Sequence, residues 1–310
     1  MSDKPIGEKP EDFFCSALSQ EIEGSILGSA PHIKTWLLLE HNGPWGKKAL
    51  EESDIPGHVK THLQAFLDQD GFARLLLIKQ QVTNPEPGLA FFIALAAHAA
   101  PVLYRFQLNS YDDLLNIDFE AIAAGTLRPE ENTSKEPLFL VCTNGKRDQC
   151  CAKFGLPVYD ALAAENKFNV WQSSHVGGHR FAGNLVCFPH GIFYGRLNPA
   201  IAPAIAADHV NNQITVDNLR GRSSYADIEQ AAEGLLHAKT GSMQLDSFNL
   251  YSVETKEDNH WDIVFHHHSS EKFHHVLIGK QPGETQVFSS CIGEKQSRPM
   301  VYQLLKHKVI

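Results

Sequence analysis

No stretch of this chain is apolar for long enough to cross a membrane. The longest run, residues 89–103, is interrupted by His98 and Pro101 and falls short of the roughly 20 residues a spanning helix needs. Behind Met1 there is no basic start followed by an apolar segment, so no secretory leader is expected and a reducing, cytoplasmic setting is. Six cysteines in such a setting are expected to be metal-bound, reactive or buried rather than joined as disulfides. Basic residues are in deficit: 27 Lys and Arg face 36 Asp and Glu, for a net charge of −9. That argues against nucleic-acid binding, which needs a cationic face. No Cys-x-x-Cys occurs either, so the usual dithiol redox motif is missing.

What is present is the balance of a globular protein, 43% hydrophobic and 20% charged over 310 residues, with room for two domains. After a polar start with Pro5 and Pro10, a short helix is expected over residues 12–20, carrying a buried Cys15. TWLLLE (35–40) predicts a buried strand, 56–68 a helix and 72–79 a second strand. A turn at 84–88 precedes two more apolar runs and a helix over 111–124, and the charged segment 126–136 has the composition of a linker. The same order then recurs: a strand at 137–142, a helix at 149–165, three strands between 168 and 197, and a helix at 199–212. Ser223 or Ser224 is expected to cap a helix over 225–239, and the alternating segment 243–310 predicts a small antiparallel β extension.

Residues 142–179 carry the chemistry. Cys142 and Cys151 stand nine apart, His175 and His179 four apart. HVGGH is not a helical pair, because two glycines cost about 2 kcal/mol relative to alanine inside a helix. As a loop, Gly177 and Gly178 permit unusual dihedrals and let both imidazoles turn to one point. Cys151 lies in the first turns of a helix, whose partial positive charge stabilises thiolates. Four such donors suit a tetrahedral metal ion or a mixed-ligand iron–sulfur cluster.

The segments FLVCTNGKRDQCCAKFGLPV, VWQSSHVGGHRFAGNLVCFPHGIFYGRL and LRGRS, with WLLLEHNGPWG upstream, resemble the sucrase/ferredoxin-like family, whose members are similar to thioredoxin-fold [2Fe–2S] ferredoxins. The resemblance covers most of residues 15–240. It implies a [2Fe–2S] cluster on Cys142, Cys151, His175 and His179, with Cys150 as second choice for Cys151, and Arg147, Asp148, Gly177, Gly178 and Arg180 around it. The fold expected is α/β. Two tandem thioredoxin-like domains with mixed sheets flanked by helices (12–125, without cofactor, and 136–240, the ferredoxin domain) precede the β extension over 243–310. The function implied is one-electron transfer to a redox partner protein, as a carrier more than an enzyme, without membrane insertion. The alternatives are a structural Cys2His2 zinc site and, weakest, a thioredoxin-type thiol oxidoreductase using Cys150 or Cys151.

Other residues carry lesser expectations. Arg147 and Asp148 suggest a local ion pair, and Arg196, Arg220 and Arg222 a basic rim. Cys187 suits a strand core, and Cys291 has no assignment. The histidines at 260, 266–268, 274 and 275 have the count of a metal-binding tract. Consecutive histidines on a strand point to opposite faces, so at most half of them can converge.

Overall fold

The computed structural model describes residues 13–22, 24–81, 87–97 and 100–310; the expected polar start and most of the 84–88 turn lie outside them. In the first half, α1 (Cys15–Ile22) precedes β1 (Thr35–Glu40), α2 (Ala49–Glu52), α3 (Gly57–Gln69), β2 (Ala73–Lys79), β3 (Leu89–Leu95), β4 (Val102–Leu108) and α4 (Phe119–Ala123). The second half runs β5 (Leu138–Cys142), α5 (Gln149–Ala164), β6 (Asn169–Ser173), β7 (Leu185–Phe188), β8 (Ile192–Tyr194), α6 (Ala202–Val210), β9 (Leu219–Arg222) and α7 (Asp227–Thr240). The extension holds β10 (Phe248–Thr255), β11 (His260–His267), β12 (Lys272–Pro282), β13 (Val287–Phe288), β14 (Gln296–Ser297) and β15 (Met300–Val309).

Nine strands form one curled mixed sheet in the order β4-β3-β1-β2-β6-β5-β7-β8-β9. Each half repeats one scheme. β1 pairs parallel with β2 and antiparallel with β3, which pairs with β4; β5 does the same with β6 and β7, which pairs with β8. This is the βαβββ order of a thioredoxin-like unit, twice. The strand ladders of the two halves meet where β2 pairs antiparallel with β6, at Ile78↔Ser173 and Lys79↔Gln172.

The strands are continuous apolar runs because both faces are buried. In β1, Leu37 and Leu39 pack with Val59, Leu63 and Phe66 of α3, while Trp36 and Leu38 face the other way. Those two share a core with Leu138, Leu140 and Trp171 of the second half. In β5, Phe139 and Val141 turn to the α5–α6 side. A single apolar core therefore spans both halves, and Cys142 and Cys151 belong to it. β10, β11, β12 and β15 form a separate four-stranded antiparallel sheet, against which α7 packs Ala232 and Leu236.

Several expectations change. Over 111–124 there is a 3-10 turn, Tyr111–Asn116, followed by the one-turn α4, because the Asp118 side chain caps a fresh start by accepting from Ala121 N. The linker segment lies along β4: Ser134 N donates to Leu103 O, and Thr133 bridges Tyr104. α7 begins after Ala226, whose N–H is taken by Glu229, not by Ser223 or Ser224. β9, LRGR, is a fully buried strand despite its charge. Arg220 and Arg222 are each 1% exposed, so they form no rim; Arg196, half-buried, donates to the carbonyls of Ser19 and Gly24.

Candidate metal centre

β5 delivers Cys142 to the end of a central strand, and the chain then turns into α5. Asp148 caps that helix, its Oδ1 accepting from Cys150 N at 3.0 Å. Gly155 lets the helix lie against the strand end, since a Cβ there would collide with the Cys142 carbonyl oxygen. Gly155→Ala should therefore push α5 off β5. We expect a loss of about 1–3 kcal/mol, as for other overpacked cores, read by thermal melting.

Successive helical residues are rotated by about 100°, so Cys150 and Cys151 face different ways. Cys151 turns to Cys142 and His175: the His175 Nδ1 lies 3.6 Å from Cys151 Sγ and 3.9 Å from Cys142 Sγ. The three donor atoms all lie within 4.8 Å of one another, and both thiols are buried. The Cys151 thiol donates to Cys142, which holds Cys142 well below the ordinary thiol value and pushes Cys151 above it. Cys150 turns instead toward Cys15 and Cys291, with sulfur separations of 3.6 and 3.2 Å.

The loop after β6 carries the histidines. Gly177 and Gly178 both have positive φ, +102° and +73°, which reverses the chain and brings the His175 and His179 rings to 5.1 Å. His179 stands beside the close group of three donors rather than within it. Its Nδ1 is buried with no hydrogen-bond partner, and its Nε2 faces Asp148 Oδ2 at 3.8 Å. Burial holds its pKa below the ordinary histidine value, against the upward pull of Asp148. The downward shift favours the neutral ring, whose unprotonated nitrogen is the form that can take a metal.

Two arginines that the sequence did not single out as loop supports fix it. Arg74 donates to Val176 O at 3.0 Å, and Arg220 to Gly177 O at 3.1 Å and to Asn184 Oδ1 at 2.8 Å. Asn184 returns a bond to Gly178 O at 3.0 Å. Arg220 is packed on the Phe181 ring at 4.8 Å, and burial lowers its pKa to about 9, which still leaves it charged at neutral pH. Asp148, fully buried, bonds Cys150 N and Cys291 N; the expected pair with Arg147 is not among its contacts. Arg180 lies over Phe181 at 4.6 Å and, with Arg74 and Arg298, lines a cleft of ≈ 520 Å³ beside His179.

Of the remaining expectations, Cys187 is core. The histidine-rich strands place His267, His274 and His307 in a stack, with His274 Nδ1 3.0 Å from His307 Nε2. Among the described residues they do not form a group of three close donors. Two groups do: Cys142–Cys151–His175, and Cys15–Asp148–Cys150–Cys291.

A βαβββ half with two thiols at a strand–helix turn, facing a two-histidine glycine loop, defines a thioredoxin-like α/β protein with a buried sulfur–nitrogen donor site. The chain belongs to the sucrase/ferredoxin-like family, whose model matches residues 26–221. It is 31% identical over 167 residues, 49% of this chain, to the altered inheritance of mitochondria protein 32 of Meyerozyma guilliermondii, and 28% identical over 103 residues, 28% of this chain, to that of Eremothecium gossypii. The matches span 57% and 33% of those relatives' own lengths. Among solved structures, the thioredoxin-like [2Fe–2S] ferredoxin from Aquifex aeolicus aligns with TM-score 0.25 and 16% identity, over 28% of this chain and 96% of that one. Its Cys59Ser variant gives TM-score 0.24 and 17% identity, over 27% and 95%.

Proposed function

We propose that the chain is a one-electron carrier whose second half binds a [2Fe–2S] cluster through Cys142, Cys151, His175 and His179. One observation carries this reading. Two buried thiols and an imidazole meet at one place, and a second imidazole beside them has a buried Nδ1 with no hydrogen-bond partner. Three donors crowd one point and the fourth stands to the side, an arrangement better suited to a group with two metal centres than to a single ion.

The bound cluster would supply reversible one-electron chemistry, with mixed ligation favouring potentials of roughly −150 to +300 mV over the −400 mV of all-thiolate plant-type ferredoxins. The protein's own groups do the rest. Arg74 and Arg220 hold the loop carbonyls, the core around Cys142 and Cys151 excludes water, and Asp148 faces the outer nitrogen of His179. A redox partner would approach the His175–His179 loop, the partly exposed part of the site. Thiols must stay reduced for this role, and the cytosol is the compartment we propose.

Anaerobically purified protein should be red-brown, carry two irons per chain and give an EPR signal after dithionite. A colourless protein holding one zinc on the same residues would overturn the reading. A second expectation concerns pH. Reduction adds negative charge, so the outer histidine N–H groups bind their protons more tightly. Above the oxidised-state pKa, uptake of an electron then brings a proton with it, and the potential should fall by up to about 59 mV per pH unit for each such group. Voltammetry showing a flat potential from about pH 6 to 10, a range that brackets histidine titration, would speak against histidine ligation.

A further inference from the structure

We infer that Cys15, Cys150 and Cys291, with Asp148 as the fourth donor, form a second metal site, built for a single thiophilic divalent ion such as zinc. The three sulfurs form a triangle with sides of 3.6, 3.2 and 3.5 Å, and Asp148 Oδ1 lies 4.0 Å from Cys15 Sγ. All four donors fall within 4.8 Å of one another, and all four residues are buried. A tetrahedral zinc with bonds of about 2.3 Å to sulfur has S–S edges of about 3.8 Å. The triangle needs only a slight outward movement to take the ion.

The surroundings suit thiolates. Cys15 N donates to Cys291 Sγ at 3.3 Å, and Ser16 N to Cys150 Sγ at 3.5 Å. These donors come from the start of α1, while Cys150 sits in the first turn of α5, so two helix N-termini converge on the sulfurs. Three thiolates, a carboxylate and a divalent ion carry the same net charge as an ordinary four-cysteine zinc site. The sulfurs are not bonded to each other, since a disulfide needs about 2.05 Å.

The site is separate from the proposed redox centre. Cys150 and Cys151 point to different sides of α5, and Asp148 stands between the two groups, its other oxygen toward His179. The ion would tie together three distant segments: α1, the start of α5 and the loop after β13. These already share a small core of Phe13, Ala182 and Phe288.

The test is metal analysis of the full chain grown with added zinc. We expect about one zinc per chain, lost in Cys15→Ser and Cys291→Ser and retained in Cys151→Ala, with iron unchanged in the two serine variants. Zinc near zero in the unaltered chain, zinc retained in both serine variants, or a disulfide among the three cysteines in anaerobic peptide mapping would each overturn the proposal. Should the serine variants misfold, cobalt loading of Cys151→Ala decides. Thiolate-to-cobalt charge-transfer absorption there supports the site, and its absence overturns it. Because Cys151→Ala removes a proposed cluster ligand, the zinc result stands or falls independently of the iron.

Discussion

In Cys151→Ala the visible absorption and both irons should disappear, whereas Cys150→Ala should keep them. The two residues are neighbours in sequence and in the first turn of the same helix, so a merely structural effect of the helix start would touch both. Geometry separates them. Cys151 Sγ is 3.6 Å from the His175 ring nitrogen, and Cys150 Sγ is 3.2 Å from Cys291 on another side of α5. Cys151 is one of only two thiols in the Cys142–Cys151–His175 group, so we expect loss of the proposed cluster rather than a shifted spectrum. Iron analysis and absorption of the two variants, purified in parallel without oxygen, check this. Retention of the chromophore in Cys151→Ala together with its loss in Cys150→Ala would reverse the ligand assignment.

Glu233→Ala should be strongly destabilising. Arg222 and Glu233 are each 1% exposed, and Oε1 of Glu233 lies 2.9 Å from Nε and 2.8 Å from Nη2 of Arg222. Nη2 also reaches Leu245 O at 2.8 Å. Burial alone would lower the Arg222 pKa, but the Glu233 carboxylate outweighs it and the net shift is upward. Removing the carboxylate leaves a guanidinium buried without its counter-charge, a loss of about 3–5 kcal/mol. For a chain of this size that lowers the melting temperature by roughly 5–8 °C. Glu233→Gln keeps a hydrogen-bonding oxygen and should fall between. Equal melting of Glu233→Ala and the unaltered protein, measured with the metal content matched, would show that the pair contributes nothing.

The elements legible in the sequence were those whose signal is local. LFLVC and the centre of TWLLLE are unbroken apolar runs because both of their faces are covered, and each folds as a strand within a residue or so of its expected bounds. The break at Asn116-Ile117-Asp118 was readable in principle, as Asp118 is a good helix cap, but the apolar spacing of 111–124 pointed the other way. LRGR carries no strand pattern at all. Its arginines are buried only because Glu233, Asn184 and several backbone carbonyls wait for them, and such partners lie far away in the chain. Distance along the chain also hid the partners of Cys150: Cys15 and Cys291 are 276 residues apart, and spacing rules work only over short separations. The approach of His175 to Cys142 and Cys151 was legible because strand end, helix start and glycine loop belong to one short stretch of chain, while His179 stands beside that group.

The narrow seam between β2 and β6 has a consequence for anyone who would shorten this molecule. Besides the two residue pairs of the ladder, the junction contains Ser174 N donating to Leu77 O, Leu77 N donating to the Ser174 hydroxyl, and the guanidinium of Arg74 on the Val176 carbonyl. All three brace the residues immediately around His175. An excised C-terminal fragment would begin with its imidazoles unsupported and a bare sheet edge beside them, a template for self-pairing. The first half is thus a splint for the second, and a miniaturised version would need a substitute strand carrying its own arginine.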